Sequence, residues 1–300
     1  MTKRKIAVVA HRKKVLRGAR LSALRAALAA EGVPDPLWFE VSRSRKAPKQ
    51  ARRAVREGAD LVLIWGGDGM VQRCTDALAG SGVEIGLLPA GTANLLAANL
   101  GVPADLGPAV RTALRGTPRT LDLGRLLVDG ETEHFAVMAG VGFDAALVGG
   151  ADRKAKARLG RLAYVRSGIR GVRSPTVEAR VTVDGEVWYR GPVSCVLFGN
   201  VGRITGGILA FDDAEPDDGL LEVGVATASG AVQWARTLGR MALGRSERSP
   251  FVRITRGRVI AVELGRPLPI ELDGGARGEV RALTATVVPG GLTVRVPAAG

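Results

Sequence analysis

Cysteine and histidine are nearly absent from this chain: its 300 residues include two of each, Cys74, Cys195, His11 and His134. The cysteines lie far apart with no CxxC spacing, so a Cys/His zinc site is excluded and a reducing compartment fits. Aromatic residues are scarce as well, at 4%, which leaves few stacking platforms for single-stranded nucleic acid. Long hydrophobic runs are missing. The longest uncharged stretch, residues 85–104, carries Gly86, Pro89, Gly91, Asn94, Asn99, Gly101 and Pro103, and does not read as a transmembrane helix. The opening MTKRKIAVVAHRKK has only five apolar residues before charge returns, too short for a signal peptide. The expected location is cytoplasmic, and any membrane contact is expected to be peripheral.

What is present has a normal globular balance, 46% hydrophobic and 24% charged, which excludes a wholly disordered chain. The length predicts about two domains. Forty-one glycines and fifteen prolines are too many for a helical bundle and point to a turn-rich α/β or β-containing fold. The 43 basic residues outnumber 29 acidic ones, for a net charge of +14. That excess is concentrated. Residues 1–60 hold sixteen Lys/Arg against five Asp/Glu, and residues 151–175 hold eight against one. Two basic regions on a near-neutral body suit a nucleotide, an anionic bilayer or a nucleic acid, or are solvated surface.

The first 120 residues alternate strand and helix signals. Ile6–Ala10, Leu37–Val41, Leu61–Trp65 and Glu84–Leu88 read as strands, the third an uninterrupted apolar run of the buried parallel kind. Helical spacing appears in Leu21, Leu24 and Leu28, in Ala47–Glu57, in Met70–Leu78 and from Ala93 to about Leu100. Such β–α units predict a doubly wound parallel sheet with ligands at the strands' carboxyl ends. The pattern changes near Asp122. Asp129-Gly130 and Asp184-Gly185 read as hairpin turns. Short strands are predicted at 193–199, 220–226, 258–264, 268–272, 281–288 and 291–296, and helices near 153–171 and 229–243. The predicted fold class is α/β: a doubly wound parallel-sheet domain over residues 1–122, then a β-rich antiparallel sandwich over 123–300. The last strand is left free to pack back on the first domain.

Two glycine loops carry the clearest chemistry. Gly66-Gly67-Asp68-Gly69 follows a strand and precedes a helix. Glycines let backbone N–H groups converge on a bulky anion, and the helix adds its positive end. A plain βα turn is the bland alternative. Asp68 cannot meet phosphate directly, so it either holds a metal-bound water or organises hydrogen bonds beneath the phosphates. Gly91-Thr92-Ala93-Asn94 repeats the arrangement one unit later; Thr92 serves as a helix cap or offers its hydroxyl to phosphate. Asp217-Asp218-Gly219 is a tight acidic turn able to face Mg²⁺, or simply an acidic surface turn. The segment 153–166 places Arg and Lys beside apolar residues, as in a membrane-surface helix or an ordinary packed one.

With these motifs in view, the chain resembles the bacterial diacylglycerol-kinase-like lipid kinases, relatives of sphingosine kinases. The resemblance runs from Ile6 to about Pro297. Its landmarks are Gly66-Gly67-Asp68-Gly69, Leu88-Pro89-Ala90-Gly91-Thr92-Ala93-Asn94, Gly140-Val141-Gly142-Phe143-Asp144 and Gly199-Asn200. Pro216-Asp217-Asp218-Gly219-Leu220-Leu221-Glu222 and Leu272-Asp273-Gly274 complete the set. The resemblance implies ATP against the two glycine loops, with contacts from Gly66, Gly67, Asp68, Gly69, Met70, Gly91, Thr92 and Asn94, and from Lys13 and Ser42 after the first two strands. It implies a lipid hollow in the second domain and Asp273 as general base, with Asp68 as a second catalytic carboxylate. It also implies Mg²⁺ on Asp218 and the backbone carbonyls of Glu215 and Leu220. The expected reaction moves the γ-phosphate of ATP to a lipid alcohol, diacylglycerol first, within phospholipid synthesis. The expected partners are ATP, the lipid and an anionic membrane surface, with room for a homodimer.

Four departures stand out. Met70 replaces a hydroxyl residue, Leu95 an aspartate, Gly275 the acidic residue of Asp-Gly-Glu, and Ala10-His11 the usual Asn-Pro. They open the alternative of a silent or altered-specificity relative. NAD kinases share the GGDG loop but follow it with Asn-Glu, a pair this chain lacks. A basic nucleic-acid-binding protein is the rival from another class, without a recognition motif to support it.

Overall fold

The protein is described here from a computed structural model covering residues 4–15, 19–142, 176–204, 208–244, 249–273 and 275–298. It divides into two compact units, one formed by Met1–Leu123 and Pro289–Gly300, the other by Gly124–Val288. In the first unit, strands β1 (Ile6–His11), β2 (Leu37–Val41), β3 (Leu61–Gly66) and β4 (Glu84–Pro89) are parallel. Their order is β2-β1-β3-β4. Every residue of β3 is buried, as expected of a strand covered on both faces.

Short α1 (Arg12–Val15) leaves β1, and α2 (Ala19–Ala30) follows it. Leu24 and Leu28 of α2 pack with Val8, Leu63 and Trp65 of the sheet and with Ala109, Val110 and Ala113. The last three belong to α6 (Leu106–Arg115). The opposite face is covered by α3 (Ala47–Arg56) and α4 (Asp68–Leu78), while α5 (Leu95–Asn99) is a single short turn of helix after β4. Helix α6 was not foreseen: its Gly107-Pro108 start reads as a turn, and its packing face is mostly alanine. Gly86 shows how closely α6 approaches β4, since a Cβ there would lie 2.6 Å from both Ala113 Cβ and Leu63 Cδ2.

The second unit is antiparallel. Its hairpins β5–β6 (Thr117–Val128, Glu131–Phe135) and β8–β9 (Val177–Val183, Glu186–Val193) turn on Asp129-Gly130 and Asp184-Gly185. All four turn residues have positive φ, the type I′ geometry that matches strand twist. Strands β7 (Met138–Val141), β10 (Cys195–Gly199), β13 (Leu221–Ala226) and β14 (Val252–Gly257) pair in the order β14-β13-β10-β7. A two-stranded ribbon, β11 (Arg203–Ile204) with β12 (Ile208–Leu209), lies apart from them.

Strand β15 (Val259–Leu272) pairs with β8 along its first half and with β7 at its end. Two separate strands were expected here; a register shift between Glu263 and Leu268 bends one strand instead. Strand β16 (Gly275–Val296) likewise merges two expected strands, and its end runs parallel to β4, with Thr293 opposite Glu84. The sandwich core includes Phe135, Val196, Phe198, Val223, Ile260 and Val262, all at most 1% exposed. Helix α7 (Gly230–Ala242) covers the outer face of β10 and β13. The basic segment 153–166 and residues Phe143-Asp144 lie outside the described residues. Among the described residues, no helix is long and apolar enough to cross a membrane.

Candidate functional site

The parallel register of the first unit sets the carboxyl ends of four strands side by side. Lys13 follows β1, Ser42 follows β2, Gly66-Gly67 ends β3 and Ala90-Gly91 follows β4. At roughly 4.8 Å per strand spacing, this edge is about 14 Å long. Lys13, Gly69 and Thr92 are exposed along it, and Ser42, Asp68, Gly91 and Asn94 are half-buried.

One carboxylate joins the two glycine loops. Asp68, the first residue of α4, accepts the Asn94 N–H at 3.0 Å and the Leu95 N–H at 2.5 Å. It thereby caps α5 from a different loop, and its own place in the first turn of α4 is favourable to the helix dipole. Asn94 is left-handed at φ 50 and closes its own loop, accepting the Gly91 N–H at 2.8 Å and donating to the Gly91 carbonyl at 3.2 Å. A Cβ on Gly91 would lie 2.8 Å from Gly67 Cα, so the two loops touch backbone to backbone. Asp68 thus joins the two loops by hydrogen bonds to the backbone of Asn94 and Leu95. Thr92 is not the cap of α5, whose first N–H groups Asp68 takes.

Met70 needs correction as an ATP contact. Its side chain is 1% exposed and lies under Gly66, where a Cβ would meet its sulfur at 2.7 Å. Its N–H donates to the Gly67 carbonyl at 2.8 Å. An apolar side chain behind a buried strand end turns inward, so Met70 supports the loop from behind and presents nothing to a ligand.

In the second unit Asp273 directly follows β15 and is 5% exposed. It has φ 44, an uncommon conformation for a residue with a side chain. Its Oδ1 accepts the N–H groups of Val137 at 3.0 Å and Met138 at 2.8 Å, and its Oδ2 accepts that of Ala136 at 3.1 Å. Its own N–H donates to the Met138 carbonyl at 2.8 Å. The carboxylate is thus fixed in orientation by three backbone donors. Beside it, the space next to Gly275 is filled by Arg277: a Cβ there would lie 2.8 Å from Arg277 Nη1. Arg277 Nε donates to both carboxylate oxygens of Glu133, each at 2.8 Å.

From Met138 a row of paired residues crosses the sheet: Met138 is opposite Gly199, and Gly199 is opposite Glu222. On this face the Phe211 ring lies against strand glycines, where a Cβ would approach it to 2.4 Å at Gly199 and 3.1 Å at Gly224. Farther along lies an apolar cavity of about 30 Å³, walled by Leu197, Ile254, Trp234, Leu238 and Met241 as well as Phe211. Phe211 and the cavity were missed in the sequence. Glycines inside strands β10 and β13 were the available signal, since they mark close approach of another group.

The acidic turn is more open. Asp218 Oδ1 accepts the Leu220 N–H at 3.0 Å, and Oδ2 lies 3.8 Å from Arg256 Nη1. Glu215 is exposed on the same turn. Among the described residues no group of three or more His, Cys, Asp or Glu side chains could hold a metal. One carboxylate with carbonyls nearby fits a Mg²⁺ that keeps most of its water. The buried thiols are inert: burial pushes both Cys74 and Cys195 up to about 12, which leaves no thiolate at neutral pH.

Two family matches divide the chain as its strands do. Residues 17–126 match the diacylglycerol kinase catalytic domain, and residues 136–296 match the YegS C-terminal NAD kinase beta sandwich-like domain. The chain belongs to the diacylglycerol kinase catalytic domain family. This kinase family includes lipid kinases. A protein named diacylglycerol kinase from Mycobacterium tuberculosis is 30% identical over 213 residues, 70% of this chain and 69% of that one. A "probable lipid kinase YegS-like" from Pseudomonas aeruginosa PAO1 is 34% identical, covering 83% and 82%. The chain spans only 55% of a Synechocystis relative, sll0036, which is 29% identical over 81% of this chain. A solved diacylglycerol kinase from Bacillus anthracis str. Sterne shares the fold, with TM-score 0.77, 22% identity and coverage of 99% and 98%.

Proposed function

We propose that this member of the family transfers the γ-phosphate of ATP to the hydroxyl of a membrane lipid, with diacylglycerol as the first acceptor to test. The observation that carries the reading is Asp273, a buried carboxylate held in one orientation by three backbone N–H groups, in a unit that also holds an apolar cavity. An oriented carboxylate and an apolar wall in one unit suit an acceptor with a reactive hydroxyl and an acyl tail. The first unit supplies the complementary part, a glycine-lined edge with helix N-termini and Lys13 for the triphosphate.

Phosphoryl transfer depends mostly on positioning and charge neutralisation, because its transition state is loose. The loop N–H groups, held in register by Asp68, would receive phosphate oxygens. Mg²⁺ at the Asp218 turn, with the carbonyls of Glu215 and Leu220, would occupy a site distinct from the metal that accompanies ATP, and positive charge at the phosphates would come from that second metal and Lys13. Asp273, oriented by its three N–H donors, would accept the hydroxyl proton as the phosphoryl group moves.

The test incubates purified protein with Mg²⁺ and γ-labelled ATP over mixed-lipid vesicles, beside Asp273→Asn with its melting temperature checked. Label in an extracted lipid, absent in a folded variant that still binds ATP, supports the reading and names the acceptor. ATP binding with no labelled lipid in the wild type would instead make this a silent relative.

A further inference from the structure

We infer that helix α7 is the surface by which the second unit lies on an anionic bilayer, an inference that rests on the lipid-kinase reading and brings the protein to the membrane that holds its substrate. The helix reads Gly-Ala-Val-Gln-Trp-Ala-Arg-Thr-Leu-Gly-Arg-Met-Ala and contains no acidic residue. Its inner face closes the apolar cavity through Trp234, Leu238 and Met241, which are 4%, 6% and 7% exposed. Its outer face carries the two most exposed large hydrophobic side chains among the described residues, Val232 at 68% and, just past its end, Leu243 at 73%. Arg236 is exposed between them and Arg240 is half-buried beside them.

At about 100° per residue, Val232, Arg236 and Leu243 fall within some 40° of one another, along about 16 Å of helix. An apolar–basic–apolar stripe of this kind seats its hydrocarbon in the headgroup boundary and its guanidinium groups among lipid phosphates. Two side chains are too little for a stable protein partner, which needs about 800 Å² from each side. Duplex nucleic acid would take the arginines but gain nothing from exposed valine and leucine. The bilayer uses both. It also explains why one helix is at once the cavity's wall and, among the described residues, the bearer of the most exposed large hydrophobic side chains.

The experiment sediments the full-length protein with vesicles of phosphatidylcholine alone or mixed with phosphatidylglycerol. Wild type is expected to bind the mixed vesicles, and less at high salt. Val232→Ser/Leu243→Ser is expected to lower the partition coefficient about tenfold or more, and Arg236→Gln/Arg240→Gln to lower it similarly while flattening the salt dependence. Melting temperature and phosphorylation of a short-chain, water-soluble diacylglycerol are expected to stay at the wild-type level in both variants. Wild-type partitioning by both folded variants, or no binding of mixed vesicles by the wild type, overturns the inference. Binding that depends on α7, with no lipid phosphorylated, upholds it while the kinase reading fails.

Discussion

Asp68 and Asp273 do the same thing in two different settings. Each is a carboxylate that accepts backbone N–H groups from a segment far away in sequence, Asn94 and Leu95 for the one, Ala136, Val137 and Met138 for the other. Asp68 does so from the first turn of a helix, half-buried, between loops made of glycine. Asp273 does so from a strand end, 5% exposed, with a left-handed backbone. The difference is one of cost. Removing Asp68 leaves donors that water can reach at an open edge, whereas removing Asp273 strands three donors in a core. A side chain in that second position is kept by its surroundings whether or not it also reacts, so stability and activity must be measured separately there.

The largest effect is therefore expected at Asp273. Asp273→Ala is predicted to cost about 3–5 kcal/mol, from three unpaired donors and an unfavourable φ for alanine. Asp273→Asn tolerates the left-handed backbone and keeps one acceptor oxygen, so its loss is expected to be about half as large. Urea unfolding of both variants checks this. Equal and small losses would mean that the three bonds contribute little, and would return Asp273 to a purely chemical role.

Asp68→Ala comes next. Loss of the α5 cap is expected to cost about 1–2 kcal/mol in stability, while calorimetry is expected to show ATP binding weakened about tenfold or more as the two loops part. Gly91→Ala breaks the same junction sterically, because its Cβ would sit 2.8 Å from Gly67 Cα. A cost of about 1–3 kcal/mol is expected, with ATP affinity reduced and Asp273-dependent stability untouched. Unchanged ATP binding in both variants would separate the junction from the nucleotide site.

Much of this arrangement was legible in the sequence, and the part that was not has a common cause. The parallel strands of the first unit and the two Asp-Gly hairpins follow from short-range patterns: buried apolar runs and turn residues that tolerate positive φ. The glycine loops were visible for the same reason. Phe211 was not, because its place is set by glycines on two other strands, and only the pairing of β10 with β13 brings Gly199 and Gly224 beneath one ring. At Met70 the position after the glycine loop suggests a ligand contact, but the helix turns its side chain inward. Neither its grip on residues 136–138 nor its burial can be read at Asp273, since its partners lie 135 to 137 residues away.

A third carboxylate sharpens the contrast from the other side, and its effect is the smallest. Glu84 on β4 is pushed upward by burial, but ion pairs with Arg4 and Arg295 outweigh this and hold it below its ordinary value of 4.5. Arg295 also donates to the Gly116 carbonyl at 2.6 Å, so the pair ties the end of β16 to β4 within the first unit. Because the folded form binds its proton less readily, Glu84 contributes stability above pH 4.5 that is lost as pH falls through the lower folded value. Glu84→Gln is expected to cost about 1 kcal/mol at neutral pH and nothing once the carboxylate is protonated. The difference in melting temperature between variant and wild type should therefore shrink on acidification. A difference that holds constant down to strongly acid pH would mean that Glu84 is held, like Asp68 and Asp273, by geometry and not by charge.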